Sequence, residues 1–372
     1  MGSKMIKPPV EILYKEELAA LKKNDDGKKP ENWILSPKAV RTFILGSDDP
    51  ILYKNKEITI KKKFFGNDAL VERCIISLAG NRGLMLVGEP GTAKTMLSEL
   101  LCAAICGCST NTVQGTAGTT EDMIKYSWNY SLLLAKGPTL EALVEAPLYI
   151  GMKNGIITRF EEITRCPSEI QDSLISVMSD KVLNIPELYD SESLLFAKPG
   201  FNIIGTANTR DKGVNEMSSA LKRRFNFETI FPIKDVSLET EIIINEVEKL
   251  RSQNKIDMNV DEDVAKLLAS TFHELREGVS SNGRRIDKPS AVMSTAEAVS
   301  VYYQTIMQSY YYGDSKISID SMVQNIIGAV AKESRDDLEK LKSYFNVVVK
   351  SKADEGGELW KKYYEARKNL KY

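Results

Sequence analysis

The hydrophobic positions of this chain change period along its length, and each change marks an element. Leu70, Val71, Cys74, Ile75 and Leu78 recur at helical spacing behind a cap at Asn67 or Asp68, which predicts a helix. Leu84-Met85-Leu86-Val87 is a short apolar run bounded by Gly83 and Gly88, as expected of a strand buried on both faces. The helical period returns in Met96, Leu97, Leu100, Leu101, Ala104 and Ile105. Residues 111–113, 156–160 and 201–205 are further strand candidates, and Ile170, Leu174, Ile175 and Met178 form a stripe after Pro167, placed at the first helical position. Strands alternating with helices predict a parallel α/β sheet. Thr158 and Arg159 interrupt a run that should be apolar.

Residues 182–185 and 194–196 flank Pro186 and read as a hairpin. Thr119-Thr120-Glu121 looks like a helix start, and the segment 126–154, broken at Gly137-Pro138 and Gly151, is too long for an ordinary loop and is expected to carry structure of its own. From residue 236 the pattern is helical: 238–251, 261–277, 290–311, 319–331, 335–349 and 359–370. A helical piece at 10–23 and a lysine-rich loop at 22–32 precede residues 58–60, which are too few to classify. The expected organisation is an appendage at 1–62 of uncertain structure, an α/β core at 63–234 and a helical domain at 235–372.

Composition narrows the class. Apolar residues make up 42% and charged residues 27%, as in soluble globular proteins, and 50 Lys and Arg nearly cancel 51 Asp and Glu. That balance argues against nucleic acid and membrane surfaces as partners. No apolar stretch reaches membrane length, residues 1–11 lack a signal-peptide core, and Gly2 begins a myristoylation-like pattern that fails at Ile6. The five cysteines show no metal-ligand spacing and read as reduced thiols, so a cytoplasmic location is expected. The single histidine, His273, reads as a packed or surface residue, and Tyr302, Tyr303, Tyr310, Tyr311 and Tyr312 as packing rather than base stacking.

Chemistry concentrates between the first buried strand and its helix. Gly88-Glu89-Pro90-Gly91-Thr92-Ala93-Lys94-Thr95 reads as a phosphate cradle: glycines let main-chain N–H groups point inward at the helix N-terminus, Lys94 reaches the β- and γ-phosphates, and the Thr95 hydroxyl holds Mg²⁺. Ala93 stands where a glycine is usual. Glu161-Glu162 after a strand suits a Mg²⁺-site acid and a water-activating base, one supporting the metal and the other facing the attacking water. Asn208, at the carboxyl end of another strand, can orient that water. Lys222-Arg223-Arg224 ends a short helix, either complementing its dipole or offering an arginine finger to a neighbouring subunit.

Taken together, these residues resemble the MoxR family of AAA+ ATPases over about residues 64–305. The match is carried by Phe65-Gly66-Asn67-Asp68, the loop with alanine before its lysine, Phe160-Glu161-Glu162-Ile163-Thr164-Arg165, the hairpin, Thr206-Ala207-Asn208 and Ala220-Leu221-Lys222-Arg223-Arg224-Phe225. The resemblance implies a P-loop NTPase core with a five-stranded parallel sheet and an all-α lid. It implies that ATP lies along Gly88, Glu89, Pro90, Gly91, Thr92, Ala93, Lys94, Thr95 and Met96, with Mg²⁺ on Thr95 and Glu161. Glu162 would be the catalytic base, Asn208 the first sensor, and Arg224 the finger, with Arg223 as understudy. Residues 126–154 would be the helix-2 insert and 182–197 the hairpin before the first sensor, both facing substrate or a ring pore. The implied activity is Mg²⁺-dependent ATP hydrolysis in a homo-oligomeric, hexameric ring that remodels a client protein, often with a von Willebrand A domain partner. Two departures bear on this. Glu161 replaces the family's aspartate, and Ser290 occupies the second-sensor arginine position, leaving Lys288, Arg284 or Arg285 as substitutes. An ATP-dependent scaffold that scarcely hydrolyses nucleotide, or a nucleic-acid-associated motor, are the alternatives.

Overall fold

The computed structural model describes residues 5–209, 215–313 and 316–371; Gly2 and Arg210 lie outside them. Four expected strands and a fifth that the sequence reading did not place, Phe225–Ile230, assemble into one sheet: β1 Gly83–Gly88, β2 Thr112–Gln114, β3 Thr158–Glu161, β4 Ile203–Asn208 and β5 Phe225–Ile230, in the order β5-β1-β4-β3-β2. All four pairings are parallel, with Asn208 and Ile230 each opposite Gly88, Phe160 opposite Gly205, and Gln114 opposite Glu161. Parallel strands bring their carboxyl ends to one edge, and that edge is where such sheets bind ligands.

Alternation along the strands sends side chains to both faces. Leu84, Leu86 and Ile204 pack with Leu97, Leu101 and Ile105 of the helix Lys94–Cys106 and with Val71, Cys74 and Ile75 of the helix Asp68–Ala79. Met85, Ile203 and Phe225 pack on the opposite face with Leu148, Met152, Leu174 and Val177. Burial of each such side chain contributes about 1.5–3 kcal/mol before conformational entropy is counted. The N-terminal residues join the first of these cores. Helices Val10–Leu13, Lys15–Asn24 and Pro37–Leu45 bury Val10, Leu21, Phe43 and Ile44 beside Leu97 and Leu100, and the piece expected at 10–23 is broken at Tyr14.

The strand expected at 156–160 is observed at Thr158–Glu161, so Thr158 and Arg159 are its first two residues. The helix after Pro167 divides into Ser168–Asp172 and Leu174–Asp180, with Pro167 as the cap rather than the first helical residue. The start at Thr119 leads only to the 3-10 turn Glu121–Met123. Residues 126–154 carry an antiparallel ladder, Tyr126–Trp128 with Leu143–Glu145, and helices Tyr130–Lys136 and Pro147–Asn154. The second hairpin pairs Val182 with Phe196.

Two compact units are present: Met1–Gly88 with Ala93–Ile230, and Glu89–Thr92 with Phe231–Tyr372. In the second, helices Val236–Gln253, Glu262–Glu277, Thr295–Tyr312, Ile319–Val330 and Arg335–Tyr344 enclose Phe272, Tyr302, Tyr344 and Tyr363. The helix expected from 290 begins at Thr295. Ser294 forms a capping box with Glu297, while Ser290 gives its N–H to Asp337 Oδ1 at 2.9 Å and its hydroxyl to Oδ2, so this stretch is held outside the helix. The helix expected over 335–349 passes into a π turn at Phe345–Val349. Tyr302 belongs to the core, whereas Tyr311 and Tyr312 are exposed.

Candidate functional site

The loop between β1 and its helix owes its shape to two left-handed residues. Gly91 has φ 76° and Ala93 φ 65°. A residue with a Cβ costs roughly 1–2 kcal/mol in this region, so Ala93 keeps the conformation a glycine would take there, at a strain the fold absorbs. No side chain caps the following helix, which leaves its leading N–H groups directed into the loop. Lys94, only 6% exposed, donates from Nζ to the Gly88 carbonyl at 3.0 Å, and Thr209 N donates to the same oxygen at 3.2 Å. Thr92 Oγ1 donates to the Glu89 carbonyl at 2.8 Å.

Glu161 closes β3 and points at the helix Lys94–Cys106. Its Oε2 accepts from Thr95 Oγ1 at 3.0 Å and Thr206 Oγ1 at 2.7 Å; its Oε1 accepts from Ser98 Oγ at 3.0 Å and Arg159 Nη2 at 2.5 Å. Burial alone would push this carboxyl up. The Arg159 charge and the hydrogen bonds from Thr206, Arg159 and Thr95 outweigh that and hold it below the usual carboxylate range. The polar interruption in the strand is therefore part of the site. Arg159 and Glu161 share a strand face at positions i and i+2, while Thr158 turns the other way and donates to the Pro147 carbonyl at 3.1 Å. Ser98 and Gly115 were not legible as site residues. Gly115 N donates to the Glu161 carbonyl at 2.7 Å, and a Cβ at 115 would lie 2.4 Å from the Glu162 carbonyl oxygen.

Glu162, the next residue, leaves the strand with φ 55° and ψ 42°, which swings its carboxylate away from that of Glu161. Asn208 Nδ2 donates to both of its oxygens, at 2.8 and 2.9 Å, and Arg165 Nε lies 3.6 Å from Oε2. Thr206 ties the pair together, accepting from Glu162 N at 3.0 Å while donating to Glu161. Lys94, Thr95, Glu161, Glu162 and Asn208 thus converge on the carboxyl edge of the sheet around β1, β3 and β4.

Arg223 and Arg224 do not. Arg224 precedes β5 at the amino edge, where its carbonyl accepts from Gly83 N, and six residue steps of about 3.3 Å separate it from Ile230, which lies opposite Gly88. Its Nε donates to Ser179 Oγ at 2.7 Å and its Nη1 to the Ala220 carbonyl at 2.5 Å. Arg223 is exposed. Among the second-sensor candidates, Arg284 Nη1 reaches the Val347 carbonyl at 3.4 Å, Arg285 bridges Val279 in the main chain, and the Lys288 stem packs over Gly278.

Thr95 Oγ1 and Glu161 Oε2 offer two hard oxygens at the head of a helix. Among the described residues no group of three or more His, Cys, Asp or Glu could hold an ion by itself. Mg²⁺ characteristically takes one or two protein oxygens and completes its shell with phosphates and water, so this pair fits it in combination with a nucleotide.

A strand, phosphate loop and helix, with paired acids on a parallel sheet of this order, define an AAA+ ATPase core. Residues 83–225 match the AAA domain (dynein-related subfamily), and residues 237–371 the YehL-like AAA+ ATPase C-terminal domain. The chain belongs to the YehL-like AAA+ ATPases. It is 46% identical over 367 residues to the uncharacterized protein YehL of Escherichia coli (strain K12), covering 98% of this chain and 97% of that protein. An uncharacterized protein of Staphylococcus aureus (strain USA300) is 29% identical over 179 residues, 46% of this chain and 60% of that one. NtrX from Brucella abortus, solved in complex with ATP, superposes with a TM-score of 0.47 at 11% identity over 78% of this chain and 62% of that one. None of the described helices is long and apolar enough to cross a membrane.

Proposed function

We propose that this chain is a MoxR-type, Mg²⁺-dependent ATP hydrolase that works in the cytoplasm as a homo-oligomeric ring, a hexamer, and remodels a client protein. The observation that carries the reading is the convergence of Lys94, Thr95, Glu161, Glu162 and Asn208 on one edge of the sheet. In this reading residues 88–96 grip the triphosphate through main-chain N–H groups and the Lys94 ammonium. Thr95 and Glu161 hold Mg²⁺, which neutralises charge on the β- and γ-oxygens when bound. Glu162 takes the proton of the attacking water, and Asn208 fixes the angle of that carboxylate. Arg224 stands too far along β5 to serve its own nucleotide, so it acts on that of an adjoining subunit, with Arg223 as the alternative. A lid at 235–372 then belongs with a core at 63–234. Exposed Tyr130, Leu134, Tyr189 and Phe196 on the insert and hairpin give apolar surface for a client, of which a von Willebrand A domain protein is one kind.

ATP turnover of the wild type, Lys94→Ala and mixtures of wild type with Arg224→Ala tests this. Turnover should fall by at least about 100-fold in Lys94→Ala, and doping with Arg224→Ala should inhibit more than dilution does. Turnover unchanged in Lys94→Ala contradicts the reading. A second reading, a scaffold that binds ATP and scarcely cleaves it, draws support from Asn208 engaging both oxygens of Glu162. Phosphate release by the purified wild type separates the two.

A further inference from the structure

Glu161 carries one more methylene than an aspartate would, and therefore one more rotatable bond through which its carboxylate can wander. The structure limits that freedom at both oxygens, with the one cation, Arg159, on Oε1 and only the hydroxyls of Thr95 and Thr206 on Oε2. Arg159 spreads its guanidinium over three acceptors: Nε donates to Ser98 Oγ at 2.9 Å, Nη1 to the Ser109 carbonyl at 2.6 Å, and Nη2 to Glu161 Oε1 at 2.5 Å, with Glu99 Oε1 3.7 Å from Nη1. It is 4% exposed, in register with Ile204 and Thr112 on the two neighbouring strands, where a buried cation is costly unless fully partnered. Ser98 lies one turn after Thr95 on the same helix face and brings its hydroxyl to Oε1 at 3.0 Å, its one proton shared with the Thr95 carbonyl at 2.8 Å. Oε2 is left beside Thr95 and Thr206.

We propose that Arg159 is a positioning residue that adapts a glutamate to the metal-ligand place: with Ser98 it clamps Oε1 so that Oε2 alone is presented beside Thr95. This rests on the reading of Thr95 and Glu161 as metal ligands. The clamp and the longer acid form one device, so exchanging either by itself is harmful. Glu161→Asp shortens the carboxylate away from Arg159 and strands a buried cation, whereas Arg159→Met frees the glutamate to swing.

The test is the affinity of a fluorescent ATP analogue with and without Mg²⁺, measured on the full chain together with the Mg²⁺ concentration giving half-maximal turnover. Arg159→Met, Ser98→Ala and Glu161→Asp should each raise that concentration about tenfold, in the range seen when groups supporting a metal ligand are removed. Arg159→Met combined with Glu161→Asp should recover most of the loss. Melting curves identify variants that do not fold; if Arg159→Met is one of them, Ser98→Ala and Glu161→Asp carry the test. An unchanged Mg²⁺ requirement in Ser98→Ala and Glu161→Asp, or a double variant whose losses simply add, overturns the clamp. A wild type whose ATP affinity ignores Mg²⁺ overturns the metal site and the clamp with it, whereas a Mg²⁺-dependent wild type with unaltered variants overturns the clamp alone.

Discussion

Each unit of the molecule buries an acid held by several donors, and the two are built for different ends. Glu161, on the sheet, is met by three hydroxyls and one guanidinium at an edge open to a phosphate loop. Glu274, in the helical unit, is met by Tyr344 Oη, Lys352 Nζ and Ser281 N, all at 2.7 Å, among core aromatics. In both, burial pushes the carboxyl up and partners pull it back below the usual range: Arg159, Thr206 and Thr95 in one, Lys352, Tyr344 and Ser281 in the other. A buried carboxylate with a lowered pKa is therefore no functional marker by itself. What separates them is the neighbourhood. Glu161 is followed by Glu162 in a left-handed conformation beside Asn208, whereas Glu274 has only structural partners.

The sharpest way to break that distinction is to remove one partner of Glu274. Lys352→Met leaves a buried carboxylate short of its cation, and unfolding of the helical unit should become easier by about 3 kcal/mol, read by denaturant titration. A loss below about 1 kcal/mol would mean that this network matters no more than a surface pair.

Acid titration sharpens the comparison next. Because the folded pKa of Glu274 lies below its unfolded value of about 4.3, its stabilisation is complete above that pH and is lost as pH falls through the folded value. Wild-type stability should drop with acid in that window, and Lys352→Met should flatten the slope. A slope identical in both proteins would exclude Glu274 as its source. The smallest effect belongs to the exposed pair Arg73–Glu228, two hydrogen bonds of 2.7 Å on the outer strand β5. Arg73→Ala should barely move the denaturation midpoint in the same assay.

Much of this was legible in the sequence because the relevant signals are local. A four-residue apolar run, a glycine-bearing loop and an amphipathic helix identify themselves, and the paired acids follow a strand. The resemblance then supplied the strand count. Arg159 shows where local reading ends: in a strand pattern it is only a flaw, and its meaning depends on Ser98 and Ser109, which pairing with β2 and the adjacent helix bring within reach. Gly115 is similar, since its need for a hydrogen in place of a Cβ arises from the carbonyls of residues 161 and 162 across the ladder. At the N-terminus the helical piece at 10–23 was read, but the helix Pro37–Leu45 was not, because it is short and gains its stability from packing beside the helix Lys94–Cys106 rather than from propensity. The late start at Thr295 has the same origin, a side-chain contact from Ser290 to Asp337, 47 residues away.

The account stands most directly on Glu162. Phosphate release and ATP binding should be measured side by side in the wild type and Glu162→Gln, which keeps the shape of the side chain and a partner for Asn208 while removing the base. The account predicts a turnover loss of at least about 100-fold with ATP affinity retained. Turnover at the wild-type rate in Glu162→Gln would contradict it.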